Sequence, residues 1–170
     1  MNRKYTCCFF GHRKICETPD LVERLTITIK ELIEQKAVNT FLFGSKSEFD
    51  DLCFKVVTNL KEQYPFIKRV YVRAAYPDIG ESYTNYLLES YEETYFLEKF
   101  RNAGRASYVE RNQEMIIKSD FCVVYYDKNY SPPRRKNSRK DLTDYQPKSG
   151  TKLAYDYAEK KGLIIINIIK

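Results

Sequence analysis

Glycine and proline are scarce in this 170-residue chain, six of each, and that scarcity removes the fibrous and low-complexity classes. No apolar run approaches the roughly 18 residues needed to cross a bilayer, so no membrane partner is expected. The opening MNRKYTCCFFGHRK sets Gly11-His12-Arg13 directly behind a very short apolar run, unlike a secretory leader, and a cytoplasmic location is the expectation. The five cysteines, Cys7, Cys8, Cys16, Cys53 and Cys122, are odd in number and include no CxxC pair. They read as reduced packing residues rather than as a disulfide framework or a metal site. Neither a P-loop nor a GxGxxG fingerprint occurs, which argues against a Walker-type ATPase and ordinary NAD binding. No cofactor and no metal are expected.

What is present suffices for one compact domain over 1–170, with 43% hydrophobic and 31% charged residues. The formal net charge of +6 favours anionic partners without choosing between a nucleotide and a nucleic acid. Short β-rich runs alternate with segments of helical period. Tyr5 to Phe10, Val38 to Phe43, Ile67 to Arg73, Ser119 to Tyr126 and Gly162 to Ile169 read as strands. Between them, Leu21, Leu25, Ile29, Leu32 and Ile33 recur at helical spacing behind Pro19-Asp20, and Phe49, Leu52, Cys53, Val56, Val57 and Leu60 line a second helix. Thr151 to Lys161 makes the last helix, and ESYTNYLLESYEETYFLEKF reads as one or two helices on the rim, in a region rich in tyrosine. Nearly continuous apolar strands separated by amphipathic helices mean a sheet covered on both faces. The expected fold is a single Rossmann-like three-layer α/β sandwich on a mainly parallel sheet of five strands or slightly more.

Open parallel sheets bind ligands beyond the carboxyl ends of their strands. Behind the first strand come Gly11, His12 and Arg13, behind the second Gly44 and Ser45, behind the fourth Asp127, and at the start of the last helix Ser149, Gly150 and Thr151. Glycine permits a sharp turn and lets a phosphate approach backbone amides, and the positive end of the following helix favours an anion. His12 is the only histidine and so the group most easily tuned near neutrality; either a ligand or loop hydrogen bond or acid–base chemistry suits it. Arg13 offers a forked donor for phosphate, the alternative being an ion pair with Glu48 or Asp50. Asp127 suits a ribose hydroxyl or simply ends the strand. Glu48, Asp50 and Asp51 read as carboxylates favoured by a helix N-terminus.

CCFFGHRK, FLFGSKSEFDDL, RNQEMIIKSDFCVVYYD and SGTKLAYDYAEKKG, in that order along nearly the whole chain, resemble the SLOG superfamily of Rossmann-like proteins. That superfamily includes the lonely-guy phosphoribohydrolases and the DprA-type DNA-processing proteins, and the small bacterial YpsA-like branch is the most similar. The resemblance implies a phosphate turn at Ser149-Gly150-Thr151, where the family usually has Gly-Gly-Thr, and a family arginine at Arg111, followed by Asn112. The glutamate that the phosphoribohydrolases carry just after Gly-Thr is missing, since Lys152, Leu153 and Ala154 stand there. The expectation is therefore binding of a nucleotide or nucleotide-derived molecule, as a sensor or sequestering module and a homodimer, with catalysis disfavoured. The alternatives are a nucleotide N-glycosidase in which Arg111 and His12 would act, and a DprA-like binder of single-stranded DNA.

Behind Asp127 runs a long basic segment without apolar period, 127–148, which holds Arg134, Arg135, Lys136, Arg139 and Lys140. Loops of this length in compact domains are lids, binding loops or disordered segments, and a basic lid over a bound anion is the expectation. A solvated charge run is the alternative. Tyr130 and Tyr145 would also allow stacking on nucleic acid bases.

Overall fold

The computed structural model describes residues 3–44, 47–74, 80–97, 106–131 and 149–169. The chain runs β1 (Tyr5–Gly11), α1 (Pro19–Lys36), β2 (Val38–Phe43), α2 (Glu48–Lys61), β3 (Lys68–Val72), α3 (Glu81–Ser90), β4 (Glu93–Tyr95), α4 (Ala106–Ile117), β5 (Phe121–Tyr125), α5 (Gly150–Lys160) and β6 (Ile164–Asn167). Every strand pair is parallel, in one six-stranded sheet of order β4-β3-β2-β1-β5-β6. This is the Rossmann-like three-layer α/β sandwich that the alternation of apolar strands and amphipathic helices predicts. The rim segment read as helix throughout differs in its second half, where Glu93–Tyr95 adds a short strand to the sheet's outer edge.

Strand pleating explains the two cores. Successive side chains of a strand point to opposite faces, so Cys7 and Phe9 of β1 join Leu25, Ile29, Phe41, Phe43, Phe49 and Val57 beneath α1 and α2. Cys8 and Phe10 join Leu42, Val72, Met115, Ile116, Cys122 and Ala158 beneath α4 and α5. Cys7, Cys8, Cys53 and Cys122 are buried free thiols within this packing, and only Cys16 is exposed. Burial pushes the Cys7 and Cys53 thiols well above their ordinary pKa, so they act as small apolar residues.

Local signals set the helix ends. Thr18 caps α1 by accepting from the Leu21 amide at 3.2 Å, with Pro19 in the first turn where its missing N–H costs nothing. Ser47 caps α2 by accepting from the Asp50 amide at 3.0 Å, and Ser149 caps α5 by accepting from the Lys152 amide at 3.1 Å. At the far edge of the sheet the Asn167 side chain continues the ladder: its Oδ1 accepts from the Tyr126 amide at 3.2 Å and its Nδ2 donates to the Tyr126 carbonyl at 2.9 Å. That fastens the end of β5, and with it the start of the segment that follows. Among the described residues no helix is long and apolar enough to cross a membrane.

Candidate functional site

From β1 the chain winds outward through β2, β3 and β4, then returns to the other side of β1 with β5 and β6. The point of reversal lies between β1 and β5, where neighbouring connections leave in opposite directions and a crevice opens at the carboxyl edge. His12 follows β1 there and Asp127 follows β5. The His12 ring is 3% exposed, and its Nε2 accepts a hydrogen bond from the Asp127 amide at 2.9 Å. Tyr130 stacks on it with centroids 3.9 Å apart, and Tyr125 meets it edge-on at 6.0 Å. Burial lowers the histidine's pKa, against an opposing pull from Asp127, so the ring is held neutral at physiological pH. With Nε2 accepting, the ring proton sits on Nδ1, which is buried and without a hydrogen-bond partner among the described residues. A donor stripped of water and left unpaired costs about 1–3 kcal/mol unless something else takes it up.

A second orphan lies on the other side of β1. Asp50, in the first turn of α2, is 4% exposed, and its Oδ1 has no partner among the described residues. Burial raises its pKa well above the carboxylate range, while the Arg111 guanidinium opposes that rise. Arg111 comes from the opposite layer, on α4, and is 5% exposed. Its Nε and Nη2 donate to the Asn112 Oδ1 at 3.2 and 3.1 Å, and its guanidinium lies 5.6 Å from the Tyr108 ring centroid. Burial lowers the Arg111 pKa, and Tyr71, Asp50 and Tyr108 pull it back. Gly44, at the end of β2, makes this crossing possible: a Cβ there would stand 2.8 Å from the Val72 carbonyl oxygen, 3.0 Å from Arg111 Cδ and 3.2 Å from Arg111 Nε.

The expected site residues thus fall into distinct roles. Gly11 is a packing glycine, since a Cβ on it would lie less than 3.0 Å from Cβ, Cγ and Cδ1 of Phe49. Arg13 is exposed, and its carbonyl accepts from the Glu48 amide at 3.0 Å. Lys14 and the Ile15 amide, rather than the Arg13 guanidinium, occupy the Glu48 carboxylate, at 3.0 and 2.8 Å. Asp127 is exposed and its Oδ1 accepts from the Asn129 amide at 2.8 Å, a turn that presents the Asp127 amide to His12. Ser149 spends its hydroxyl on the α5 cap, Thr151 is buried, and no atom of the described residues lies within 4 Å of where a Gly150 side chain would stand. Ser45 and the basic segment from 132 to 148, with Tyr145, lie outside the described residues.

Asp50 was hidden behind the ordinary preference of carboxylates for a helix start. Its spacing carried the signal: Asp50, Cys53 and Val57 stand at i, i+3 and i+7, which puts the carboxyl on the buried stripe. A separate cleft of about 540 Å³ opens at the opposite, amino edge, lined by Tyr5, Ala37, Ser119, Asp120 and Gly162 among others. The carboxyl ends of α1, α4 and α5 face it, where helix dipoles disfavour anions. None of its lining residues is among those with an orphaned buried polar atom. The fold is of the doubly wound, open-sheet α/β class, and the orphaned polar groups cluster at its carboxyl edge. No protein-family model matches the chain, and no curated protein matches it.

Proposed function

We propose that this protein binds a nucleotide or nucleotide-derived small molecule at the carboxyl edge of its sheet, as a sensor or sequestering module rather than an enzyme. One observation carries the reading: among the described residues two buried polar atoms near the carboxyl edge, His12 Nδ1 and Asp50 Oδ1, have no hydrogen-bond partner, and Arg111 is buried as well. A ligand with both acceptors and donors would satisfy them. The α5 N-terminus at Gly150, with no atom of the described residues within 4 Å of a Cβ placed there, is the natural seat for its phosphate. The resemblance to the SLOG superfamily extends the proposal to a cytoplasmic, bacterial, homodimeric module of the YpsA-like kind.

Asp50 also gives specific support to the hydrolase reading, because it sets a carboxyl near Arg111 although none follows Gly-Thr. Stabilising an oxocarbenium-like sugar requires an ionised carboxylate, and burial holds Asp50 towards its neutral form. Binding without turnover is the better-supported reading. Native mass spectrometry of the purified protein, with calorimetric titration of AMP and ADP and chromatography for free base, tests it. Saturable nucleotide binding with no base release is expected. Release at about 1 per second, abolished by Arg111→Ala, would promote the hydrolase, and steeply salt-dependent oligonucleotide binding in place of nucleotide binding would promote the DNA binder.

A further inference from the structure

We infer that the cleft at the amino edge is a second, separate binding site, for an arginine with a free carboxylate, and that Arg3 of the chain itself holds the guanidinium position until such a ligand displaces it. The inference is independent of the nucleotide reading, because the cleft lies at the opposite end of the strands.

Its volume of about 540 Å³ falls within the roughly 300–1,000 Å³ of small-molecule sites. Tyr5 and Asp120 line it, and both already receive a guanidinium: that of Arg3 lies 5.1 Å from the Tyr5 ring centroid, with Nη2 3.5 Å from Asp120 Oδ1. An aromatic face beside a carboxylate suits a planar, delocalised cation better than a compact ammonium. Both partners are fixed by other contacts. Phe121 meets the Tyr5 ring edge-on with centroids 6.1 Å apart, and Asp120 Oδ2 accepts from the Thr6 amide at 3.1 Å, which leaves Oδ1 for a guanidinium. The Arg3 pair is loose: its 3.5 Å exceeds the roughly 2.7–2.9 Å of a charge-assisted hydrogen bond, and the Arg3 side chain is 75% exposed. Exposed pairs of this kind hold weakly, so a better-placed guanidinium takes over.

Three helices end at the cleft. Lys36, Ile117 and Lys160 close α1, α4 and α5, and Lys36, Ser119 and Lys161, at or within two residues of those ends, belong to its lining. The last carbonyls of a helix lack intrahelical donors, and each helix end carries about half a negative charge. That favours a cation and disfavours a bare anion. Lys36 and Lys161 narrow the class further, because their ammonium groups repel a ligand that is only cationic and attract a carboxylate at its other end. Leu163 and the exposed Ile164, also in the lining, give apolar surface to the methylene stem between the two ends. Free arginine and the C-terminal arginine of a peptide share this chemistry.

Calorimetry and amide chemical-shift mapping with L-arginine, Nα-acetyl-L-arginine, agmatine and L-lysine test the site. L-arginine or its acetyl derivative should saturate at millimolar concentration or below, with shifts at Tyr5, Thr6 and Gly162 and none at His12. The tighter of the two names the source, the acetyl form standing for a peptide terminus. Agmatine, which lacks the carboxylate, and lysine, which lacks the planar fork, should bind at least about 10-fold more weakly. Arg3→Ala removes the internal occupant and should tighten binding by about 2-fold to 5-fold. Asp120→Asn keeps an acceptor for the Thr6 amide and should weaken binding by at least about 10-fold. Should that variant fail to fold, the Lys36→Ala, Lys161→Ala double variant must lose the preference over agmatine. The inference is overturned by an absence of shifts at the cleft with all four compounds, by agmatine binding as tightly as L-arginine, or by an Arg3→Ala protein whose affinity is unchanged or lower.

Discussion

Replacing Gly11 with alanine separates two explanations of that glycine, one in which it admits a phosphate and one in which it admits a helix. The added Cβ would lie less than 3.0 Å from three atoms of Phe49, at the start of α2. Gly11 is not among the residues with positive φ, so alanine meets no backbone penalty there and the cost is purely steric. Two of the clashing atoms, Cγ and Cδ1, belong to the ring and can in principle rotate away; Cβ is fixed to the backbone and cannot. Phe49 is fully buried against β1, and its ring sits 5.7 Å from that of Tyr125. Overpacking of a tight core costs about 1–3 kcal/mol, and the fixed Cβ puts this case at about 3 kcal/mol. For a chain of this size each kcal/mol lowers Tm by about 2–4 °C, so a loss of roughly 6–12 °C is expected. Thermal and urea unfolding of Gly11→Ala, Phe49→Ala and the double variant give the cycle. Phe49→Ala alone costs about 3–5 kcal/mol through its cavity, and the double variant should fall short of the sum by only about 1–2 kcal/mol, because the Cβ contact persists. A Gly11→Ala protein that melts within about 2 °C of wild type yet loses nucleotide binding would refute the packing account.

Glu92 accepts from the Arg69 amide at 2.6 Å and from Arg69 Nη2 at 2.8 Å, with Lys61 at 3.2 Å. Burial alone would raise its pKa, but the Arg69 hydrogen bonds outweigh that and hold it at about 2. A depressed carboxylate stabilises the fold above its unfolded pKa, so Glu92→Gln should cost about 2–3 kcal/mol at pH 7 in urea unfolding. The difference should fade as pH drops from about 4.5 towards 2; a loss independent of pH would contradict the assignment. Asp50 has the opposite sign, since its native pKa is raised. Its contribution is full below the unfolded value of about 3.9 and is lost as pH rises through the native one, at about 1.36 kcal/mol per pH unit. Asp50→Asn should therefore gain stability relative to wild type as pH rises, and a flat difference from pH 4 to 8 would count against a strained carboxyl. Gly150→Asp should fold normally, because among the described residues nothing lies within 4 Å of its added Cβ, but should lose AMP affinity by at least about 10-fold. Unchanged calorimetric affinity would move the phosphate elsewhere.

Elements with a long apolar period were legible in the sequence, and those sustained by partners were not. β2 stands at Val38–Phe43 as its apolar run predicts, and α1 starts at the Pro19 that marks it. β4 escaped because three residues cannot show a two-residue period, and Glu93 and Thr94 sit in a run that reads equally well as helix. The strand exists because β3 offers it a ladder, reinforced by Lys68 with Glu93 at 2.7 Å and Arg69 with Glu92. At the site, residue type was readable and cause was not. Gly11 and Gly44 stood out as strand-end glycines, but what they make room for, Phe49 and Arg111, comes from elsewhere in the fold. Asp50 was visible as a helix-start carboxylate, and only the fold shows it buried, with an Oδ1 that has no partner among the described residues.

The central strand has one near and one distant neighbour, and this sets the order in which the molecule can assemble. β1 pairs Cys7 with Phe41 on one side and with Phe121 on the other. Closing the longer loop costs about 1 kcal/mol more chain entropy than the shorter one, so the β1–β2–β3 half is favoured to form first and the β1–β5 seam to zip later. Parallel pairings between remote segments fold slowly. His12 and the Asp127 amide face each other across that seam, 115 positions apart in the chain. A probe at Tyr130, which stacks on His12 only when the seam is shut, should therefore report a later kinetic phase than one at Phe41. A ligand held at that edge would slow unfolding by clamping the last joint to close.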